Sequence, residues 1–104
     1  MTGHLGADGR FIVDRTKDEN APLLARLRRA EGQIRGLVEM IEGSRYCGDE
    51  LHQIAAARAA LREVAVLLAH AHVSAVTEYA RTNGDAGEAM NDIPNILRSA
   101  FRQE

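Results

Sequence analysis

Two side chains in this sequence carry ligand and nucleophile chemistry: Cys47, the single cysteine, and His72, 25 residues further on. Cys47 sits where a helix should begin. Amide groups and the helix dipole there favour thiolate, the form that bonds metals and attacks electrophiles. Imidazole is the commonest metal ligand and a ready base. The pair therefore suits binding of a metal ion, reaction with an electrophile, or nucleophilic catalysis. No oxyanion-hole motif or Gly-rich ligand loop accompanies it, so an enzyme is not expected. The plain alternative is a buried, inert cysteine, the commoner fate of a lone one.

The element that must position the pair is the stretch from Cys47 to Tyr79. It has no Pro, its only Gly is Gly48, and Ala, Leu, Arg and Glu fill most of it. Leu51, Ile54, Leu61, Val64, Leu68, Ala75, Val76 and Tyr79 recur at three-and-four spacing. One helix of more than thirty residues is predicted, roughly 50 Å long at about 1.5 Å per residue. A compact domain of about 100 residues has a radius of gyration near 13 Å. Such a helix overhangs a monomer, and its apolar stripe needs a second chain to cover it. On one continuous helix Cys47 and His72 stand about 37 Å apart and cannot share a ligand. In an antiparallel pair of helices Cys47 of one chain meets His72 of the other, giving two sites per dimer.

Residues 1–19 contain three glycines, mixed charge and no sustained period, and read as a mobile arm; His4 lies in it. A helical domain is expected over 20–104. Its first helix should start near Asn20 as N-cap, with Pro22 in the first turn, and stop near Gly43. Gly32 and Gly36, one turn apart inside it, suggest close approach of another helix. Arg26, Arg28, Arg29 and Arg35 stand against Glu31 alone. Arg58 and Arg62 extend that charge on the long helix. The patch reads as a solvated face in a monomer; repeated in a symmetric oligomer it becomes a basic surface wide enough for DNA phosphates. Asn83-Gly84 stops the long helix. Ala86 to Asn91 suits a helical turn, and Asp92 suits the cap of a last helix over 93–102.

The 104 residues suffice for one domain, and with 45% hydrophobic but 4% aromatic residues they specify an Ala/Leu/Val core of close-packed helices. A net charge of -2 excludes a polybasic chain but not a local basic surface. One cysteine makes no intrachain disulfide, which fits a reducing cytoplasm. No run of eighteen apolar residues or signal-type leader is present, so neither a membrane span nor secretion is expected.

Three blocks agree in order and spacing with a known family. They are Leu24-x-Arg26-Leu27-Arg28-Arg29-x-Glu31-Gly32-Gln33-x-Arg35-Gly36-Leu37, then Tyr46-Cys47, then Gln53-Ile54-x-Ala56 with Ala60-Leu61. From about Leu23 to Leu97 the chain resembles the copper-sensitive operon repressor (CsoR) family, which includes nickel/cobalt-, formaldehyde- and persulfide-responsive repressors. The resemblance implies an all-α, three-helix protomer, an antiparallel four-helix bundle dimer and a dimer of dimers. It implies a repressor that binds operator DNA through basic helical surfaces, here Arg26, Arg28, Arg29, Arg35 and Arg62. An effector, a transition metal ion such as Cu(I), Zn(II), Ni(II) or Co(II), or a small electrophile, would release it. Cys47 and His72 match the family's intersubunit ligands, and Tyr46 and Asp92 fall where partners of the His are placed. The family's third ligand, Cys in copper sensors and often His in nickel/cobalt sensors, is Val76 here. An N-terminal His of nickel-type members is Arg15. A Cys–His pair alone looks more like the formaldehyde-responsive branch, in which the N-terminal amine is crosslinked to the Cys, but the longer arm and Thr2 depart from it. The inducer stays open, with His4 a further donor only if the arm folds back. A helical scaffold without DNA binding is the remaining alternative.

Overall fold

The computed structural model describes residues 1–84 and 87–102. Asp85 and Ala86, where the predicted helical turn was to begin, lie outside the described residues, as do Gln103 and Glu104. Two strands, β1 (Thr2–Leu5) and β2 (Phe11–Asp14), precede four helices: α1 (Lys17–Glu42), α2 (Cys47–Asn83), α3 (Gly87–Asn91) and α4 (Ile93–Phe101). The fold is all-α in its body, with three principal helices, a single-turn α3 and a hairpin at the N-terminus.

α2 has the bounds the sequence predicts. It runs for 37 residues, from Cys47 to a left-handed Gly84 (φ 71°) whose N–H bonds the Ala80 carbonyl at 2.9 Å. α1 starts earlier than expected. The Thr16 hydroxyl accepts the Glu19 N–H at 3.1 Å, and the Glu19 carboxylate accepts the Thr16 N–H at 2.9 Å. This reciprocal capping box, with Asp18 and Glu19 in the first turn, fixes the start at Lys17. Asn20, expected as the cap, instead accepts Arg15 Nε at 2.9 Å. Pro22 falls inside the helix.

α1 folds back antiparallel on α2. Gln53 Nε2 donates to the Gln33 carbonyl at 2.8 Å near the link, and Arg26 Nε bonds Glu63 at 2.9 Å further along. A Cβ on Gly36 would lie 3.0 Å from Gln53 Nε2, so this glycine does mark close approach; Gly32 faces open space.

Residues 1–19, expected as an arm without regular structure, form a two-stranded hairpin and the start of α1. β1 and β2 pair antiparallel with Gly3 opposite Val13 and His4 opposite Ile12, around a tight loop closed by Gly6 N–H to the Arg10 carbonyl at 2.7 Å. The hairpin packs on the C-terminal half of α2. Phe11 joins Ala75, Val76 and Ala89 in a small core flanked by Leu5, Val13, Tyr79 and Ile93. The sequence offers little warning of this, because Phe11 gains its burial from residues more than sixty positions away.

The molecule measures 58 × 27 × 20 Å with a radius of gyration of 17.6 Å. That exceeds the roughly 13 Å of a compact domain this size, as the overhanging helix requires. Large apolar side chains stay exposed along α1 and α2, among them Ile34, Val38, Ile41 (61% exposed), Leu51 (64%), Leu61 and Leu68. A stretch of α2 is also long and apolar enough to span a bilayer by length and composition. α2 packs against α1, α4 and the hairpin and carries Arg58, Arg62 and Glu63 near its middle.

Candidate functional site

α2 projects Leu68, Ala71, His72, Ala75, Val76 and Tyr79 on one face by its 3.6-residue turn. His72 is only 5% exposed at the centre of this face. The Phe11 ring covers it edge-on, with centroids 5.6 Å apart and planes at 79°, and meets Tyr79 the same way at 5.4 Å. Asp92, at the entry to α4, supplies the nearest carboxylate. Its Oδ2 lies 4.0 Å from His72 Nε2, too far for a hydrogen bond, and Nε2 is enclosed without a partner. Burial pushes the His72 pKa below its ordinary value, and the Asp92 charge offsets this in part. The imidazole is therefore held neutral, the state that bonds a metal.

Asp92 stands at the N-cap of α4 as predicted, but its side chain makes no cap bond there. Oδ2 accepts the Phe11 N–H at 3.3 Å, and Oδ1 takes Asn95 Nδ2 at 3.4 Å. A cavity of about 380 Å³, mostly apolar in lining, opens beside His72 between β2, α2 and α4, with Arg15 at its wall.

Cys47 stands at the far end of α2, exposed, on its first turn. Tyr46 is the N-cap residue of α2, exposed and without a side-chain cap bond. Neither is near His72 in one chain. Val76, one turn past His72, is 2% exposed and packed in the core with Phe11. The N-terminus does fold back, but it brings Phe11 to His72. His4 sits on the exposed side, with Nδ1 2.7 Å from Asp14 Oδ2. Arg15 is turned to Asn20. Among the described residues no three His, Cys, Asp or Glu side chains gather closely enough to hold a metal ion. Within one chain, Cys47 on the first turn of α2 and His72 about two-thirds of the way along it stand far apart.

Of the predicted basic set, Arg28, Arg29 and Arg35 are exposed on α1, and Arg62 is exposed on α2. Arg26 is half-buried, held by Glu63 and by the Pro22 carbonyl at 3.2 Å. It ties the two helices together as well as adding charge. Phe11 is the site residue that sequence reasoning missed. The isolated apolar run Phe11-Ile12-Val13, framed by glycines on one side and a Thr-x-x-Glu cap on the other, was the available signal.

The structure is a helical hairpin with an uncovered apolar stripe, a group of exposed arginines in the middle of α1, and Cys47 and His72 set far apart on α2. Comparison with known proteins gives the class. Residues 19–99 match the family model of the metal-sensitive transcriptional repressors. The copper-sensing transcriptional repressor RicR of Mycobacterium tuberculosis is 44% identical over 80 residues, 71% of this chain and 83% of that protein. The copper-sensing transcriptional repressor CsoR of Bacillus subtilis is 34% identical over 84 residues, 81% and 83% of the two chains. The structure of the copper-sensing repressor CsoR with Cu(I) from Geobacillus thermodenitrificans superposes with a TM-score of 0.74 at 36% identity, covering 85% of this chain and 92% of that one. The nickel-responsive transcriptional regulator InrS superposes with a TM-score of 0.72 at 30% identity, over 83% and 97%. This chain belongs to the metal-sensitive transcriptional repressor family, the CsoR family. Its members are repressors of transcription, not enzymes.

Proposed function

We propose that this repressor holds its operator as a dimer of dimers in the cytoplasm, and is released when an effector bridges Cys47 of one chain and His72 of its partner. The observation that carries the reading is the division of donors on α2, with exposed Cys47 and enclosed His72 at opposite ends and an uncovered apolar stripe between them. An antiparallel bundle of two α1–α2 hairpins covers that stripe and closes two sites at once. The donors fit a soft ion. A thiolate and an imidazole suit Cu(I), whereas Zn(II) asks for four ligands and Ni(II) for a tetragonal set that this face does not offer. The RicR and CsoR relatives are copper-sensing by name, which agrees. The enclosed, partnerless Nε2 beside Asp92 supports His72 as a ligand, since a bonded imidazole turns its other nitrogen to a carboxylate. DNA is met through Arg28, Arg29, Arg35 and Arg62, with Arg26 bracing the face.

A second reading is capture of an electrophile by Cys47. Its support is the exposed thiol combined with the apolar Val76 where a third ligand would stand. One experiment separates the two. Anaerobic titration of the reduced protein–operator complex with Cu(I), Zn(II), Ni(II), Co(II) and formaldehyde, read by fluorescence anisotropy, should show release by Cu(I) at one ion per chain. Release by formaldehyde alone establishes the second reading. Light scattering on the same samples should give a tetramer mass; a monomer overturns both.

A further inference from the structure

The hairpin packs against the imidazole through Phe11, and the proposed function leaves it without a task. Phe11 is 4% exposed, and its ring seals His72 and Tyr79 from one side. Gly3 on the opposite strand makes room for it: a Cβ there would lie 2.5 Å from Phe11 Cε1. The Phe11 backbone N–H donates to Asp92 Oδ2 at 3.3 Å. The same oxygen is 4.0 Å from His72 Nε2, an enclosed nitrogen with no partner. One carboxylate oxygen thus stands between two donors and bonds only the hairpin.

We propose that the N-terminal hairpin is a strap across the effector site, latched on Asp92 through Phe11, and that an effector bonding His72 loosens it. The inference rests on the reading of His72 as an effector ligand. Nε2 faces Asp92, which leaves Nδ1, on the other side of the ring, for the effector. An imidazole bonded through Nδ1 keeps its proton on Nε2, and an enclosed N–H needs an acceptor. Asp92 Oδ2 is that acceptor, and closing to hydrogen-bond distance, about 2.8 Å for a charge-assisted bond, draws it off the Phe11 amide. The strap then loses its polar anchor and keeps only the edge contacts of one ring. Linkage makes the effect reciprocal: a docked strap weakens effector binding by the same factor by which the effector weakens docking.

The test uses the full chain in three states, native, Phe11→Ala and Asp92→Ala. The Asp92 side chain caps no backbone N–H of α4 and gives up only the 3.4 Å contact with Asn95 Nδ2 there, so exchange over 93–101 is followed as a second control. Hydrogen exchange of the amides over residues 2–14 is followed by mass spectrometry, with the middle of α2 as internal control. Without metal, Asp92→Ala should exchange in the hairpin about tenfold faster or more, the equilibrium worth of one hydrogen bond to a charged group, and Phe11→Ala, which keeps that backbone bond but loses the ring packing, should also exchange faster, with α2 unchanged in both. Unchanged hairpin exchange in Asp92→Ala removes the latch. Cu(I) affinity is measured in parallel by competition with a chromogenic chelator. Phe11→Ala should bind Cu(I) about tenfold tighter than native, since no strap has to be displaced. Binding by the variant and not by the native chain supports the strap in its strongest form. Equal or weaker binding by the variant overturns the coupling. Binding by neither overturns it as well, and the exchange data then show whether the latch or the effector reading failed. In the native protein, saturating Cu(I) should accelerate hairpin exchange; slower exchange refutes the direction proposed.

Discussion

Replacing Val76 by Cys asks the site for its missing donor. Val76 lies one turn beyond His72, on the same enclosed face, and is 2% exposed among Phe11, Ala75 and Ala89. A side chain at that position points where His72 points, since positions four apart are neighbours on a helix. Cysteine is smaller by about one methyl group and is at home in an apolar setting. The packing loss should resemble Ile→Val, about 0.5–1.5 kcal/mol. For a domain of this size that lowers the melting temperature by roughly 4–8 °C per kcal/mol, so metal-free Val76→Cys should fold and melt a few degrees early. Its gain is a second thiolate beside the imidazole. The variant should bind Cu(I) tighter than the native chain in anaerobic competition against a chromogenic chelator, with little change for Ni(II) or Co(II), because thiolate softness favours Cu(I). Cu(I) should also restore the lost melting temperature, by ligand linkage. Native protein that binds Cu(I) as tightly as the variant refutes the reasoning, since a third ligand would then already be in place.

Other outcomes follow from the same geometry. Cys47→Ala and His72→Ala should each abolish metal binding with helical circular dichroism retained; full affinity in either moves the site elsewhere, to His4 or His52. Arg28→Ala should weaken operator binding across sequences and flatten its salt slope by about one unit of log K against log salt, whereas an unchanged slope takes the α1 face out of the contact. Burial keeps His72 neutral below its ordinary pKa of 6.5, so in acid the unfolded chain binds the extra proton. Stability should be full above about pH 6.5 and decline as pH falls below it. His72→Gln should remove that decline, and urea midpoints in the variant that track native ones through this range would assign the loss to other groups.

The parts of this fold that were legible in the sequence are those that one stretch of chain determines alone. α2 announces itself by its length of unbroken helix formers and stops at Asn83-Gly84 as read. The separation of Cys47 and His72 along one helix followed from it. The start of α1 was misread because Asn20 and Pro22 look like a helix opening, whereas the Thr16–Glu19 pair, equally visible, satisfies two amides at once and wins. Asp92 lies 4.0 Å from His72 Nε2 and holds the N-cap position of α4, but its Oδ2 bonds the Phe11 amide, which local sequence does not foretell. The hairpin was not legible. Its strands are four residues each, too short to show a period, and two-stranded ribbons have little stability of their own. What holds it is a ring contact with His72 and Tyr79, residues of α2 more than sixty positions further along the chain.

The length of α2 also sets a condition on when the molecule can respond. Because a straight helix cannot bend its two ends together, a solitary chain is unable to chelate anything with Cys47 and His72, however much effector is present. With the proposed site shared between two chains, the read-out would be second order in protein. Below the association threshold the cell would hold a regulator that is deaf rather than one that is permanently released. A flexible linker in place of the helix would have allowed each chain to satisfy itself and would have uncoupled sensing from assembly. Stiffness over about 37 Å is what forbids that short circuit.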